Sequence, residues 1–122
     1  MGAFAADSVL DAALDEIETA TQIVLTVDEP ANGAGALSNA VAEGTLTGGD
    51  YTKAAGDVSG RKVTIAQQDD LNIDSSGTPD HVALLDASDN LIYVTTVSNP
   101  QALTEGGTVT LGSFQVEFRQ PA

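Results

Sequence analysis

Apolar residues recur at helical spacing near the start of the chain. Their intervals of three and four residues match one face of an α-helix, and they are Val9, Leu10, Ala13, Leu14 and Ile17. Asp7 is a good N-cap for this segment. The acidic residues fall mostly on the opposite side, where water would solvate them: Asp11, Asp15, Glu16 and Glu18. The pattern predicts an amphipathic helix over residues 7–19 that docks on the rest of the domain.

Short β-strand patterns follow, separated by turn residues. The run Ile23-Val24-Leu25-Thr26-Val27 is apolar and mostly β-branched, which is typical of a buried strand. Residues 61–67 alternate between apolar and polar, as a half-buried strand does. Residues 81–86 and 91–97 are two β-prone runs, and Ala87-Ser88-Asp89-Asn90 between them has the length and chemistry of a hairpin loop.

The remaining segments complete the predicted fold. Residues 108–111 and 113–119 form a last strand region, with Gly112 as a bend or bulge between its halves. Residues 31–60 are rich in small residues and glycine, so a long loop excursion is predicted there. One helix followed by about six short strands predicts a mainly β (α+β) fold, either an antiparallel β-sandwich or a small barrel with one N-terminal amphipathic helix.

Length and composition favour one folded domain. A chain of 122 residues with 42% hydrophobic and 18% charged residues can enclose one core. We expect an apolar leader over residues 1–6 and a single domain over residues 7–122. The leader lacks the basic residues of a secretory signal, and no apolar run approaches the roughly 20 residues that span a bilayer. The chain has no cysteine, which excludes thiolate chemistry.

The charge of −14 limits the choice of partners. It results from 18 acidic residues against four basic ones. Such a field repels nucleic acid and anionic membranes, so neither is expected as a partner. An acidic surface serves solubility, or it attracts a basic partner surface.

Candidate chemistry is sparse along the sequence. The single histidine, His81, has no serine in a nucleophile elbow to activate, so a structural or surface role is predicted for it. Asp70, Asn72 and Asp74 recur like the start of an EF-hand loop, but Ser75 and His81 stand where glycine and a bidentate glutamate belong. These three are weak metal candidates, and a strand with one solvated face is the preferred interpretation. Residues 72–74 would continue or pair with the strand at 61–67. We predict no catalytic residue, no cofactor and no enzymatic activity.

Several blocks of the sequence resemble small virion structural proteins of tailed bacteriophages, many of them marine. The blocks cover most of the chain, and they are residues 5–14, 57–64, 77–86 and 91–96. The resemblance implies a component of the virion, assembled in the host cytoplasm, and a capsid decoration (cement) protein on the head surface is the main expectation. A tail, neck or head-fibre protein is the alternative. A carbohydrate- or calcium-binding attachment module is an alternative from another class.

The resemblance also implies partners and contact residues. The major capsid protein or other virion proteins would be the partners, and a homo-oligomer, a trimer rather than a dimer, would be compatible. The expected contact residues are apolar or basic groups that look exposed on an acidic chain: Phe4, Tyr51, Lys53, Arg61 and Lys62. Phe4 could insert into its own domain or into a neighbouring subunit.

Overall fold

The computed structural model describes residues 5–97 and 100–119. Over these residues the chain forms two α-helices, α1 (Asp7–Ile17) and α2 (Gly33–Ser38), and a 3₁₀ turn at Gly48–Asp50. The strands are β1 (Gln22–Thr26), β2 (Ala40–Thr45), β3 (Tyr51–Ala55), β4 (Arg61–Ile65), β5 (Gln68–Ile73), β6 (His81–Leu85), β7 (Leu91–Thr96), β8 (Thr108–Leu111) and β9 (Phe114–Phe118). The fold is therefore mostly β, as the sequence predicts.

The strands form two antiparallel sheets packed in a sandwich-like arrangement that is not a closed barrel. The large sheet has six strands in the order β7-β6-β1-β2-β5-β8, and the small sheet has three strands in the order β3-β4-β9. Gly112 and Ser113 connect β8 of the large sheet to β9 of the small sheet. The sequence predicts one strand region with a bend or bulge at Gly112, whereas the structure has two separate strands, in different sheets, on either side of Gly112.

The main core lies between the two sheets and under α1. Alternation along β4 directs Val63 and Ile65 inward, where both side chains are fully buried. Leu14 from α1 joins the same cluster. A second, smaller cluster lies on the other side of β1, where Val24 packs with Ala36 of α2. The central strand β1 is therefore buried on both faces, which explains its continuous apolar sequence.

Helix α1 differs from its prediction at both ends. It ends at Ile17, and its N-cap residue is Ala6 rather than Asp7. Asp7 lies in the first helical turn, where a carboxylate is favourable beside the helix dipole. Leu10, Leu14 and Ile17 are buried, but the side of the predicted stripe carrying Val9 faces solvent, with Val9 61% exposed. The buried stripe is narrower than the sequence pattern.

The prediction of a long loop over residues 31–60 is wrong. This region holds α2, β2 and β3, and β2 pairs with β1 with one irregular step between Leu25 and Thr26. The Asn32 side chain accepts a hydrogen bond of 2.7 Å from the Gly35 N–H and caps α2. The small residues of these elements have little helix or strand propensity of their own. The elements are therefore stabilised by strand pairing and packing with the rest of the fold.

Two further predictions concern strand pairing. The hairpin of β6 and β7 is confirmed, with Val82 opposite Thr95. Its loop is closed by the Asp86 carboxylate, which accepts hydrogen bonds of 2.9 Å from the Ser88 and Asn90 N–H groups. The Asn90 hydrogen bonds are the main reason that the pKa of Asp86 is lowered. The expectation that residues 72–74 join the strand at 61–67 is wrong, because β5 pairs with β2 and β8 in the other sheet.

Candidate interaction surface

Two of the basic contact candidates attach α1 to the small sheet. Lys53 on β3 contacts the carboxylates of Asp15 and Glu18. Arg61 on β4 donates from Nε to Asp11 Oδ1 at 2.8 Å. Hydrogen bonding to Asp15 is the main reason that the pKa of Lys53 is raised, and hydrogen bonding to Asp11 raises that of Arg61. The expectation that these helix carboxylates are only solvated is therefore wrong.

The other two basic residues also pair within the chain. Lys62 is only 15% exposed at its side chain, and its Nζ lies 2.7 Å from Asp57 Oδ1. Arg119 Nε lies 2.7 Å from Glu117 Oε2, a contact that lowers the pKa of Glu117. Every lysine and arginine thus contacts a carboxylate of its own chain, while most of the 18 acidic residues stand outside these ion pairs. The surface field is negative, and Lys53, Arg61 and Lys62 would exchange an existing partner if they bound another protein.

Tyr51 is a core residue. It begins β3 rather than lying in a loop, and it is 9% exposed. Its hydroxyl donates a buried hydrogen bond of 2.7 Å to the Ala20 carbonyl. Burial first, and then the charges of Asp50 and Glu18, raise its pKa to about 12. The expectation that Tyr51 is exposed is wrong, whereas the contact role of Phe4 stays a prediction because Phe4 lies outside the described residues.

Alkaline pH should destabilise the protein through Tyr51. Its pKa is raised from 10.0 to about 12 in the folded chain, so the neutral phenol is favoured by folding. This contribution is complete below the unfolded pKa and is lost as the pH rises through the folded pKa. We expect a loss of roughly 2 kcal/mol between about pH 9 and pH 12, measured by urea unfolding.

Tyr51→Phe separates this effect from other alkaline titrations. The variant should be less stable at neutral pH by about 1–2 kcal/mol, because the Ala20 carbonyl loses its donor. Its free energy of unfolding should also lack the part of the decline at high pH that comes from Tyr51. The control variant Tyr93→Phe should keep that decline. Equal pH dependence in the wild type and Tyr51→Phe would contradict the assignment.

Of the three weak metal candidates, Asp70 and Asn72 lie on β5 and Asp74 directly follows it. Leu71 and Ile73 are buried, as predicted for that strand, while Asp70, Asn72 and Asp74 are exposed. Asp70 has a φ of 54° at an irregular step in the pairing of β5 with β8. Within residues 5–97 and 100–119, no group of three or more His, Cys, Asp or Glu side chains is placed to hold a metal ion.

His81 belongs to a small polar network at the start of β6. Its Nδ1 lies 2.8 Å from Asp80 Oδ1, and the same oxygen accepts a 2.8 Å hydrogen bond from the Asp28 N–H. These contacts, His81 foremost, lower the pKa of Asp80. The network joins β6 to the turn after β1. His81 thus contributes a side-chain contact to this network.

A groove of about 640 Å³ opens where the two outermost strands of the large sheet approach the start of β9. Residues 95–97 at the end of β7 form one wall, and residues 109–111 of β8 form another. Phe114 of β9 and the core residues Leu25 and Val82 complete its apolar lining. Threonine, serine and glutamine side chains supply the polar atoms, and none of the described residues that line the groove is charged. The groove can therefore accept an uncharged, partly apolar group.

Sequence reasoning did not identify the groove. Its walls come from three strands. β7 and β8 lie at opposite edges of the large sheet, and β9 belongs to the small sheet. Only the sheet order brings them together, and the alternating pattern of single strands does not contain that order. The available sign was that two long uncharged runs, residues 90–104 and 106–116, are separated by Glu105 alone. Most of the groove lining comes from these two runs.

Comparison with known proteins places the chain in no group. No family model matches it, and no curated protein and no solved structure does so either. Among the described residues, no helix has the length and apolar character needed to cross a membrane.

Proposed function

We propose that this protein is a structural component of a tailed-bacteriophage virion, and specifically a capsid decoration (cement) protein on the outer surface of the head. The sequence blocks that resemble such virion proteins support the assignment. So does the size of the domain, a 122-residue chain folded around a two-sheet core. The major capsid protein is the proposed partner.

One structural observation carries the proposal: the surface separates into an acidic exterior and an uncharged groove. The basic side chains contact carboxylates of the same chain, so the acidic surface stays strongly hydrated and resists self-association. The groove, in contrast, offers apolar area to a partner. This combination suits a protein that is added in many copies to an assembled particle.

Such a protein stabilises its particle by mass action. If it binds the assembled shell and not the loose subunits, each bound copy favours the assembled state. A site that spans the junction between shell subunits supplies this differential affinity, because the junction does not exist in the free subunit. No catalytic step is required of the chain.

Binding to shells tests the proposal directly. Purified protein is mixed with shells of the encoding phage prepared without this gene product, and bound protein is measured after sedimentation. We expect saturable occupancy at a fixed ratio to the major capsid protein, and a higher temperature of shell disruption. Dissociated shell subunits serve as the control and should bind less. Absence of co-sedimentation, or equal binding to dissociated subunits, would contradict the proposal, and binding to isolated tails alone would favour the tail alternative.

A further inference from the structure

We infer that the groove between β7 and β8 binds an extended, uncharged segment of another polypeptide, which lies along the sheet edge as an added β-strand. The inference rests on the proposed function for the source of that segment, which would be the shell protein. The proposed function leaves open which site on this chain binds the shell protein and what kind of segment binds there, and both are specified by the groove.

Both walls of the groove are edges of the large sheet. β7 and β8 are the terminal strands of the large sheet, so each has one neighbouring strand within the described chain. The outer side of such a strand presents N–H and C=O groups without a strand partner, which can pair with an incoming strand. Residues of both edge strands line the groove. An extended backbone can therefore bind along these walls through main-chain hydrogen bonds.

Charge selects the kind of segment. The chain carries 18 acidic residues, yet none of them lines the groove. A charged side chain placed there would lose its hydration without gaining an ion pair, which is costly. An uncharged segment avoids this cost. It also avoids the repulsion that the acidic exterior would exert on an acidic peptide.

The lining indicates the side-chain pattern of the segment. Val97, Val109 and Phe114 supply apolar contacts, while hydroxyl groups such as that of Thr110 supply polar ones. Side chains of a strand point alternately to opposite faces, so apolar residues at every second position would fill the groove. Its volume of about 640 Å³ lies in the range of ligand sites, roughly 300–1,000 Å³.

Backbone hydrogen bonds within the chain fix two parts of the groove wall. Leu103, part of its lining, exchanges two backbone hydrogen bonds with Gly77, of 2.7 and 3.1 Å. The Val97 N–H donates to the Asp80 carbonyl at 2.8 Å, which fixes the end of β7. A preformed site loses less conformational entropy on binding.

A labelled peptide provides the probe. The peptide Thr-Val-Thr-Val-Thr-Val-Thr is compared with a peptide that has aspartate in place of each valine, and binding to the full chain is measured by fluorescence anisotropy. We expect saturable binding of the valine peptide and at least about tenfold weaker binding of the aspartate peptide, a ratio that corresponds to about 1.4 kcal/mol. Amide exchange of β7 or β8 should slow in the complex. No binding of the valine peptide, or equal binding of both peptides, would overturn the inference.

Variants at the groove locate the site. Thr96 and Thr110 are exposed residues on opposite walls, so the double variant Thr96→Arg/Thr110→Arg should fold and should weaken the peptide complex at least about tenfold. Thr52→Arg, at an exposed position on β3 away from the groove, is the control and should bind like the wild type. Unchanged affinity in the folded double variant would overturn the inference.

The same variants separate this inference from the proposed function. Shell binding that is lost in the double variant and kept in Thr52→Arg supports both. Equal shell binding by all three proteins would overturn the groove as the shell site while the decoration function stands. Failure of the wild type to bind shells, with peptide binding intact, would contradict the function and leave the chemistry of the groove supported. Self-association of the wild type that the double variant abolishes would identify a second copy as the occupant and overturn the shell segment.

Discussion

Replacing Leu14 by alanine should lower the free energy of unfolding by about 2–5 kcal/mol. Leu14 is fully buried and belongs to the cluster that joins α1 to both sheets. Truncation removes apolar contacts and leaves a cavity that the surrounding strands can fill only in part. Urea unfolding followed by circular dichroism measures the change. Because a domain of this size is stable by only about 5–15 kcal/mol, the midpoint should shift visibly.

Val9→Ala is the matched control on the same helix. Val9 occupies the predicted apolar stripe but is 61% exposed, so its truncation should change stability by less than about 0.5 kcal/mol. A comparable loss in both variants would mean that α1 docks through the broader stripe of the sequence pattern. A negligible effect of Leu14→Ala would mean that α1 does not pack on the sheets at all.

Replacing Gly33 by alanine should cost about 3 kcal/mol. A Cβ atom at Gly33 would lie 1.6 Å from the backbone oxygen of Asp89, so α2 and the loop between β6 and β7 could not keep their present contact. The two elements must separate, which exposes the second cluster around Val24 and Ala36. Urea unfolding measures the stability. Amide exchange shows whether β6 and β7 lose protection with α2.

Gly48→Ala controls for the general effect of removing a glycine. No atom lies within 4 Å of a Cβ built at Gly48, so this variant should stay within about 1 kcal/mol of the wild type. If Gly33→Ala is as stable as Gly48→Ala, the close approach of α2 to the β6–β7 loop is refuted. That result would also mean that α2 does not cover the face of β1 that carries Val24.

The parts of the fold that the sequence predicts are those with strong local patterns. The hairpin of β6 and β7 has two β-prone runs and a loop that Asp86 closes through its own carboxylate. The alternation of β4 is equally clear, and its inward residues Val63 and Ile65 are fully buried. In these segments local preference and tertiary packing favour the same structure.

The parts that were mispredicted depend on distant contacts. Helix α2 has six residues, including two glycines, too few and too weak to form a helix alone. It exists because Asn32 caps it and Ala36 packs on the large sheet. The choice of pairing partners also depends on distant contacts. Nothing in the sequence of β5 indicates that it joins β2 and β8 rather than β4.

The contact candidates show a similar limit. Lys53, Arg61 and Lys62 were chosen as contact residues because basic residues are rare in this acidic sequence. A few basic residues among many carboxylates are, however, equally able to form ion pairs within their own chain, as these three do. Tyr51 was expected to be exposed because a loop was predicted around it, and its burial depends on the unpredicted strand β3. The groove was missed because it exists only between strands.

Cryo-electron microscopy of the intact particle tests the central proposal most directly. The phage that encodes this chain is purified, and its head is reconstructed at a resolution that shows side chains. We predict density for the two-sheet domain at regular positions on the outer shell surface, with an extended segment of the shell protein along the edge of β7 or β8. A fully resolved particle in which this domain is absent from the outer surface of the head would contradict the proposed function, and its presence on the tail alone would favour the tail alternative.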